Sequence, residues 1–454
     1  VDTAVKNHGN LTESQSLIQK HPPQINRSKH LNAIRHFEKN PVNAIILDQQ
    51  DPLKEFRKEF YIPKRNNTEV IYFCGNSLGL QPKITSSKID HELKKWAQKG
   101  VDGHFNEDPW VSHHHKGKTA MAHLVGAKTH EVVAMNNLTT NLHLLLASFY
   151  QPKGTRKKMI IEKGAFPSDY FAVTSHMKQK GISPEDHLIE ISPDENGYFS
   201  TEKICHSILT TGDALALVML PGIQYYSGQF LDLKSITRAA HKVGAYAGFD
   251  LAHAVGNIPM TLHEDQVDFS AWCSYKYLNS GPGNVSGVFI HEKHGNNPDF
   301  PRLAGWWGQN ETIRFKMEND FDPIPGIDGW MLSNANIISS VAHLASLDIF
   351  EKANIHELRK KSILLTGYLE YLLVNNEAIK PHINILTPKN ESERGCQLSL
   401  YFYDQGRLAF DHLTKNGVVL DWREPNVIRV APVPLYNSFK EVEKFVILLG
   451  QVFD

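Results

Sequence analysis

Short apolar runs and amphipathic stretches alternate through the middle of this chain. Residues 214–220 are continuously apolar, the pattern of a strand buried on both faces of a parallel sheet. Residues 159–161 and 285–290 read as further strands. Ile236, Ala239, Ala240 and Val243 recur at helical spacing, and 244–249 then reads as a buried strand ending on Asp250. Strand, helix and strand together predict a βαβ unit that delivers Asp250 to the carboxyl edge of the sheet. Residues 269–274 form an extended run leading to Lys276. Ile89, Leu93, Trp96 and Ala97 mark one helical face, and Leu142, Leu144, Leu145, Leu146 and Phe149 another. Residues 337–350 and 355–374 also read as helical.

The pattern changes beyond about 335. Strands are predicted at 383–386, 397–403, 418–420 and 427–430, with helices at 407–415 and 438–449, an α+β arrangement. At the other end, residues 1–50 are polar. Leu17, Ile18, Leu31, Ile34 and Phe37 hint there at short helices in need of a partner surface. Asp51-Pro52 then signals a helix over 53–60, stopped by Ile62-Pro63. Residues 70–73 predict a strand running into Gly75-Asn76-Ser77-Leu78-Gly79-Leu80, whose glycines would let the backbone approach a ligand closely. The expected division is an N-terminal helical segment at 1–68 that joins the small domain, a large α/β domain at 69–335 with a mostly parallel central sheet, and a small α+β domain at 336–454.

With 454 residues, two or three domains are expected. Lys and Arg number 48 against 49 Asp and Glu, so no overall field draws nucleic acid or an anionic membrane. The four cysteines, Cys74, Cys205, Cys273 and Cys396, are scattered without a C-x-x-C pair. That argues against a disulfide framework or zinc site and for a reducing, cytoplasmic setting. The polar start carries no signal-peptide core, and no apolar run has membrane-spanning length.

Chemistry concentrates at the carboxyl ends of the predicted strands, where open α/β sheets collect ligands. An acid there, Asp250, and a lysine between tyrosines, Tyr275-Lys276-Tyr277, are what a pyridoxal phosphate (PLP) site needs. The lysine forms a Schiff base, and the acid keeps the pyridine nitrogen protonated. A buried Asp capping a loop and a surface Lys would be the plainer reading of the same spacing. Asn137-Leu138-Thr139-Thr140 feeds a helix whose N-terminus could cradle a phosphate, or could simply be N-capped. Phe166-Pro167-Ser168-Asp169 could set an aromatic face over a planar cofactor, or be a proline turn. The run His113-His114-His115 reads as solvated, since consecutive residues point apart. The Trp-bearing loops at 305–309 and 330–334 could line a pocket or plug a core. Arg429, on a strand before Ala431-Pro432, suits carboxylate recognition or a surface ion pair.

Taken together these motifs resemble the kynureninase family, PLP enzymes of fold type I in the aminotransferase class V group. The resemblance runs from Tyr61-Ile62-Pro63 through Gly248-Phe249-Asp250-Leu251-Ala252-His253 and Trp272-Cys273-Ser274-Tyr275-Lys276-Tyr277-Leu278-Asn279 to Arg429-Val430-Ala431-Pro432-Val433-Pro434-Leu435-Tyr436-Asn437. It implies PLP held by Lys276, which also moves the substrate's α-proton, with Asp250 on the pyridine nitrogen and Phe166 stacked on the ring. Leu138, Thr139, Pro167, Ser168, Asp169, His253, Tyr275, Trp306 and Asn334 are implied as further cofactor contacts. Tyr226 is implied as a general acid near the phosphate, Arg429 as the clamp for the substrate carboxylate, and His104, Ser333 and Asn334 as the pocket for the substrate's aromatic ring. The implied reaction is hydrolytic cleavage of the Cβ–Cγ bond of kynurenine or 3-hydroxykynurenine, giving alanine and anthranilate or 3-hydroxyanthranilate, in tryptophan catabolism and NAD biosynthesis.

A homodimer is implied too, with active sites at the subunit interface, and a preference for the 3-hydroxy substrate follows from His104, Ser333 and Asn334. Pro221 and Gln309 depart from the expected Ser and His. The rival readings are another class V enzyme such as a cysteine desulfurase or transaminase, and a scaffold that has lost the chemistry. A nicotinamide dehydrogenase is disfavoured because no G-x-G-x-x-G follows a strand.

Overall fold

The computed structural model describes Phe37 and residues 43–453; the hints at Leu17, Ile18, Leu31 and Ile34 lie outside the described residues. Its largest sheet has seven strands: β1 Val132–Met135, β2 Lys158–Glu162, β3 Leu188–Ile191, β4 Leu215–Pro221, β5 Tyr246–Asp250, β6 Phe269–Cys273 and β7 Ser286–Ile290. They lie in the order β1-β7-β6-β5-β4-β2-β3. Only β7 runs against its neighbours. The first six residues of β4 and all of β6 and β7 are buried, as continuous apolar runs require when both faces are covered. The expected βαβ unit is present: β4 and β5 pair in parallel and place Pro221 opposite Asp250. The pattern missed β1 and β3, which are both edge strands of four residues. At β3 only Ile191 is fully buried, so its apolar signal is weak.

The helices of seven or more residues are α1 Ala44–Gln50, α2 Ile84–Lys99, α3 Lys118–Val125, α4 Leu138–Phe149, α5 Pro167–Gln179, α6 Thr201–Thr211, α7 Leu233–Lys242, α8 Ile337–Ala353, α9 Ile355–Val374, α10 Gly406–Lys415 and α11 Phe439–Gly450. Alternation along the strands sorts the core into two faces. Ile160, Val218, Leu220, Ala247 and Phe249 pack with Ile204, Ile208 and Ile236 of α6 and α7. Met159, Ile161, Leu217 and Met219 pack with Leu142, Leu145 and Val173 of α4 and α5. A second, antiparallel sheet of β8 Ile383–Ile385, β9 Leu398–Phe402, β10 Asp421–Arg423 and β11 Val427–Val430 runs in the order β8-β9-β11-β10. Its cluster takes in Leu369, Leu413 and Phe445, and also Phe37, Ala44, Ile71 and Phe73 from the N-terminal side. Among the described residues no helix is long and apolar enough to cross a membrane.

Three expectations change on contact with the structure. The helix expected over 53–60 is a 3-10 segment, Lys54–Glu59, because Asp51 Oδ1 accepts from Leu53 N at 2.9 Å and closes the chain locally instead. The glycines at 75 and 79 serve protein contacts rather than a ligand. A Cβ on Gly79 would lie 2.3 Å from the Lys276 carbonyl, and one on Gly75 would lie 2.4 Å from the Tyr436 hydroxyl. Gly79 N donates to Tyr275 O at 2.8 Å, so this turn is a backbone clamp on the lysine loop. Finally, His113 and His114 are not solvated. They are buried in the 3-10 segment Trp110–His115, and burial holds them down at about 4 and about 3, as neutral imidazoles.

Candidate active site

β2, β4 and β5 end along one edge of the sheet on Glu162, Pro221 and Asp250. Lys276 comes three residues after β6, and the N-termini of α4 and α5 open on the same side. Together they line a cleft of about 320 Å³. Lys276 Nζ lies 3.1 Å from His253 Nε2 and 5.8 Å from the centre of the Phe166 ring. Asp250 is buried, accepts from Ala252 N at 2.7 Å and feels the charge of Lys276. The amine and the acid that the sequence paired therefore share one cleft.

The cleft is crowded with carboxyl groups. Burial pushes Asp169 well above the usual carboxylate range, and the negative charge of Asp250 adds to it. Burial raises Asp250 as well, but Lys276 and a hydrogen bond from Asp169 both favour its charge. The proton of this pair sits on Asp169, which donates to Asp250. A third acid, Glu162, is pushed up to about 8 by burial, with Asp250 contributing. His253 is held neutral, far below its ordinary value, by burial and by the charge of Lys276.

Among the described residues no metal-type donor set faces this cleft, and the parts fit PLP. In the first turn of α4 the Asn137 side chain takes Thr140 N at 3.2 Å. Leu138 and Thr139 carry amides with no partner inside the helix and line the cleft. Such a helix end, with the favourable end of the dipole behind it, suits a phosphate. Phe166 offers a ring face, Asp250 an acceptor for a ring N–H, and Lys276 an amine for an aldehyde. Glu162 Oε2, Asp169 Oδ1 and His253 Nδ1 are buried without a partner among the described residues, as in a site that is completed by a ligand. Phe166, Ser168 and Asp169 line the cleft, while Pro167 starts α5 behind them.

Other expected residues stand elsewhere. The Tyr226 hydroxyl turns to the Glu424 carbonyl at 3.4 Å, and Tyr225 and Tyr275 reach the cleft instead. Arg429 does not line the cleft. It is buried, forked onto Asp421 at 2.6 and 3.2 Å, and donates to Tyr225 O at 2.8 Å. His104, Trp306, Ser333 and Asn334 lie outside the cleft. Trp306 is 49% exposed and meets Phe315, 50% exposed, at 5.6 Å; Phe315 meets Phe105, 60% exposed, at 6.0 Å. His104 stacks beside Phe105 at 5.9 Å. Ser333 and Asn334 are exposed, in a loop whose Leu332 backbone packs on Gly305. Of the other tryptophans in the two loops, Trp307 and Trp330 are core residues. Pro221 lines the cleft, and Gly222 N donates to Asp250 O at 2.7 Å. Gln309 is a loop tie, bonded to Asp320 O at 2.8 Å and Asp322 N at 2.7 Å. The sequence reading passed over Glu162, Tyr225 and Asp421. Glu162 carried the same signal as Asp250, an acid closing an apolar strand.

Comparison with known proteins agrees with this picture. The profile described as the kynureninase C-terminal domain matches residues 358–449. The kynureninase of Flavobacterium psychrophilum is 51% identical over 402 residues, covering 88% of this chain and 95% of the relative. That of Xanthomonas oryzae is 49% identical over 415 residues, covering 90% and 97%. Among solved structures, the apo cysteine desulfurase of Thermococcus onnurineus superposes with a TM-score of 0.71 at 17% identity, over 89% of this chain and 98% of its own. A C-DES mutant with glycine covalently linked to its PLP cofactor gives 0.71 at 17%, over 87% and 98%. The likeness to these structures is one of fold: the fold-type-I class read from the sequence. Long relatives at half identity, matched nearly end to end, carry the assignment further: this chain belongs to the kynureninase family.

Proposed function

We propose that this protein cleaves the Cβ–Cγ bond of L-kynurenine and of 3-hydroxy-L-kynurenine by hydrolysis, releasing L-alanine and anthranilate or 3-hydroxyanthranilate, with the 3-hydroxy substrate preferred. The reading rests on one observation above all. In a chain half identical to kynureninases, Lys276, Asp250, Phe166 and an open helix N-terminus meet in a single cleft. When bound, PLP supplies an electron-withdrawing ring that makes the substrate's α-proton acidic and stabilises the carbon that departs from the cleaved bond. Lys276 takes that proton and returns it, at an amine kept in place by His253. His253, held neutral, accepts or donates without adding charge. Asp250 keeps a ring N–H in place, and Asp169 holds the spare proton beside it. Of the tyrosines, Tyr275 serves as the acid for the γ-carbonyl side, being next to Lys276 and in the cleft wall. Arg429 receives the substrate carboxylate on the guanidinium edge that Asp421 and Tyr225 leave free. Groups placed in this way are each worth roughly 10²–10⁴-fold in rate.

His104, Trp306, Ser333 and Asn334 have their assigned part only if a second copy brings them to the cleft. We therefore infer a homodimer closed over the exposed aromatic patch, since contiguous exposed apolar side chains mark interaction surfaces. The reading keeps the division 1–68, 69–335 and 336–454, with α8 bridging, because Leu347, Ile349 and Phe350 pack in the cluster of the larger sheet. It keeps a cytoplasmic setting, in accord with four unpaired cysteines, and a place in tryptophan catabolism. A product assay with both substrates tests the function. Anthranilate or 3-hydroxyanthranilate must form in the wild type, and kcat/KM must be higher for the 3-hydroxy substrate. A higher ratio for unsubstituted kynurenine would reject the preference, and absence of either product would reject the function.

A further inference from the structure

Glu162 is a buried acid of the cleft with no part in the scheme above. It closes β2, is 2% exposed, and lines the cleft beside Asp169 and Asp250. Its carboxyl interacts with the side chain of Gln224, and Oε2 has no partner among the described residues. Gln224 is itself buried. Its Oε1 accepts from Tyr226 N at 2.7 Å and Ser227 N at 2.8 Å, so its amide N–H faces Glu162. These bonds fold the turn at 223–228.

The far side of that turn is held by the antiparallel sheet. Tyr225 O accepts from Arg429 Nη1 at 2.8 Å and Gln397 Nε2 at 3.2 Å. Tyr226 O accepts from Ser399 Oγ at 2.6 Å, and Ser227 O from Thr387 Oγ1 at 2.6 Å. The turn is thus a strut from the cleft floor to the arginine.

We propose that Glu162 is a positioning residue for carboxylate binding: through Gln224 it fixes the Tyr225 carbonyl, and through that carbonyl the guanidinium of Arg429. The inference rests on the assignment of the substrate carboxylate to Arg429. Glu162 does this work as a neutral acid. The groups that face it are the carboxyls of Asp250 on β5 and Asp169 on α5, the Tyr225 hydroxyl on the turn, and Lys276, the one cation lining the cleft among the described residues. Lys276 is turned to His253, so a third negative charge would stand without a counter-ion in a desolvated floor. Its ionisation is placed at about 8, and because the Gln224 bond favours the ionised form, the strut holds on both sides of that pH.

The test uses the holoenzyme and reads the dissociation constant of L-alanine from the absorbance of the bound cofactor between pH 6 and 9. KM and kcat are measured alongside. In Glu162→Ala, alanine binding and KM weaken roughly tenfold, about what one well-made hydrogen bond supports, with kcat and cofactor affinity little changed. Glu162→Gln, which keeps the shape and a neutral amide, binds alanine as the wild type does at pH 7. The proposal is overturned if Glu162→Gln is as damaged as Glu162→Ala, or if either variant loses cofactor rather than alanine. Arg429→Lys separates the two layers. If it binds alanine as tightly as the wild type, the carboxylate assignment itself fails, whatever the Glu162 variants do.

Discussion

Asp268 and Asp250 sit at opposite ends of neighbouring strands of one sheet, both almost fully buried, and their surroundings are inverted. Asp268, just ahead of β6, accepts from Ala247 N at 2.7 Å, meets His241 at 2.8 Å and His294 at 2.7 Å, and pairs with Lys293 at 2.7 Å. Burial alone would raise it, but the hydrogen bonds from His241 and His294 and the charge of Lys293 overcome that and hold it well below the usual range. Asp250 accepts one backbone N–H, shares a proton with Asp169, and is raised by burial. At the amino edge the chain meets all the needs of a buried charge, and at the carboxyl edge it leaves them open. The first arrangement holds the fold together, and the second waits for a ligand.

This contrast can be broken in several ways. The largest effect is expected at the open edge: Lys276→Ala should lower product formation by about 10⁴-fold or more, and borohydride should no longer fix the cofactor to the protein. The inverse pair comes next. Asp250→Asn should slow cleavage by roughly 10²–10⁴-fold, while urea unfolding of the apoprotein shifts by less than about 1 kcal/mol. Asp268→Ala should do the reverse, costing about 3–5 kcal/mol of stability through Lys293 and the ring and backbone donors it leaves unpaired, with the folded fraction turning over normally. Equal losses of stability in the two variants would erase the distinction.

Acid sharpens the same comparison. A carboxyl whose folded value is depressed stabilises fully above its unfolded value, near about 4, and loses that contribution as pH falls through the folded value. The apoprotein should therefore lose stability below about pH 4, and Asp268→Asn should flatten that limb of a chemical-denaturation series. The smallest effect on stability is expected at the aromatic patch. Phe105→Ser with Phe315→Ser should change the unfolding free energy by only about 0.5 kcal/mol. The same double variant should elute as a monomer and raise KM, roughly tenfold if the rim contacts depend on a second copy. An unchanged elution volume would remove the patch from the interface.

The open edge was legible in sequence because its residues announce themselves along the chain. Asp250 ends an apolar run, Lys276 stands between tyrosines, and Asn137 caps an apolar helix. The closed edge was not, because Asp268, His241, His294 and Lys293 look like ordinary polar residues until two strands bring them together. The same holds for the rim: nothing in the spacing of His104, Trp306 and Ser333 says that they stand clear of the cleft in a single chain. Tyr225 and Tyr226 are adjacent in sequence, and only the turn that Gln224 folds decides which of them faces inward. The burial of His113 and His114 likewise follows from the short 3-10 segment, which local pattern does not specify.

The clamp at Gly79 has a consequence for how this protein tolerates change. Its missing side chain lets one turn lie flat on the carbonyl of the reactive lysine, and that turn continues from Ile71–Tyr72, which pairs with Val418–Val419 beside the antiparallel sheet. The lysine's position is thereby registered against a part of the chain more than a hundred residues away. In a saturation library selected for turnover, position 79 would be as intolerant as position 276, although it does not line the cleft.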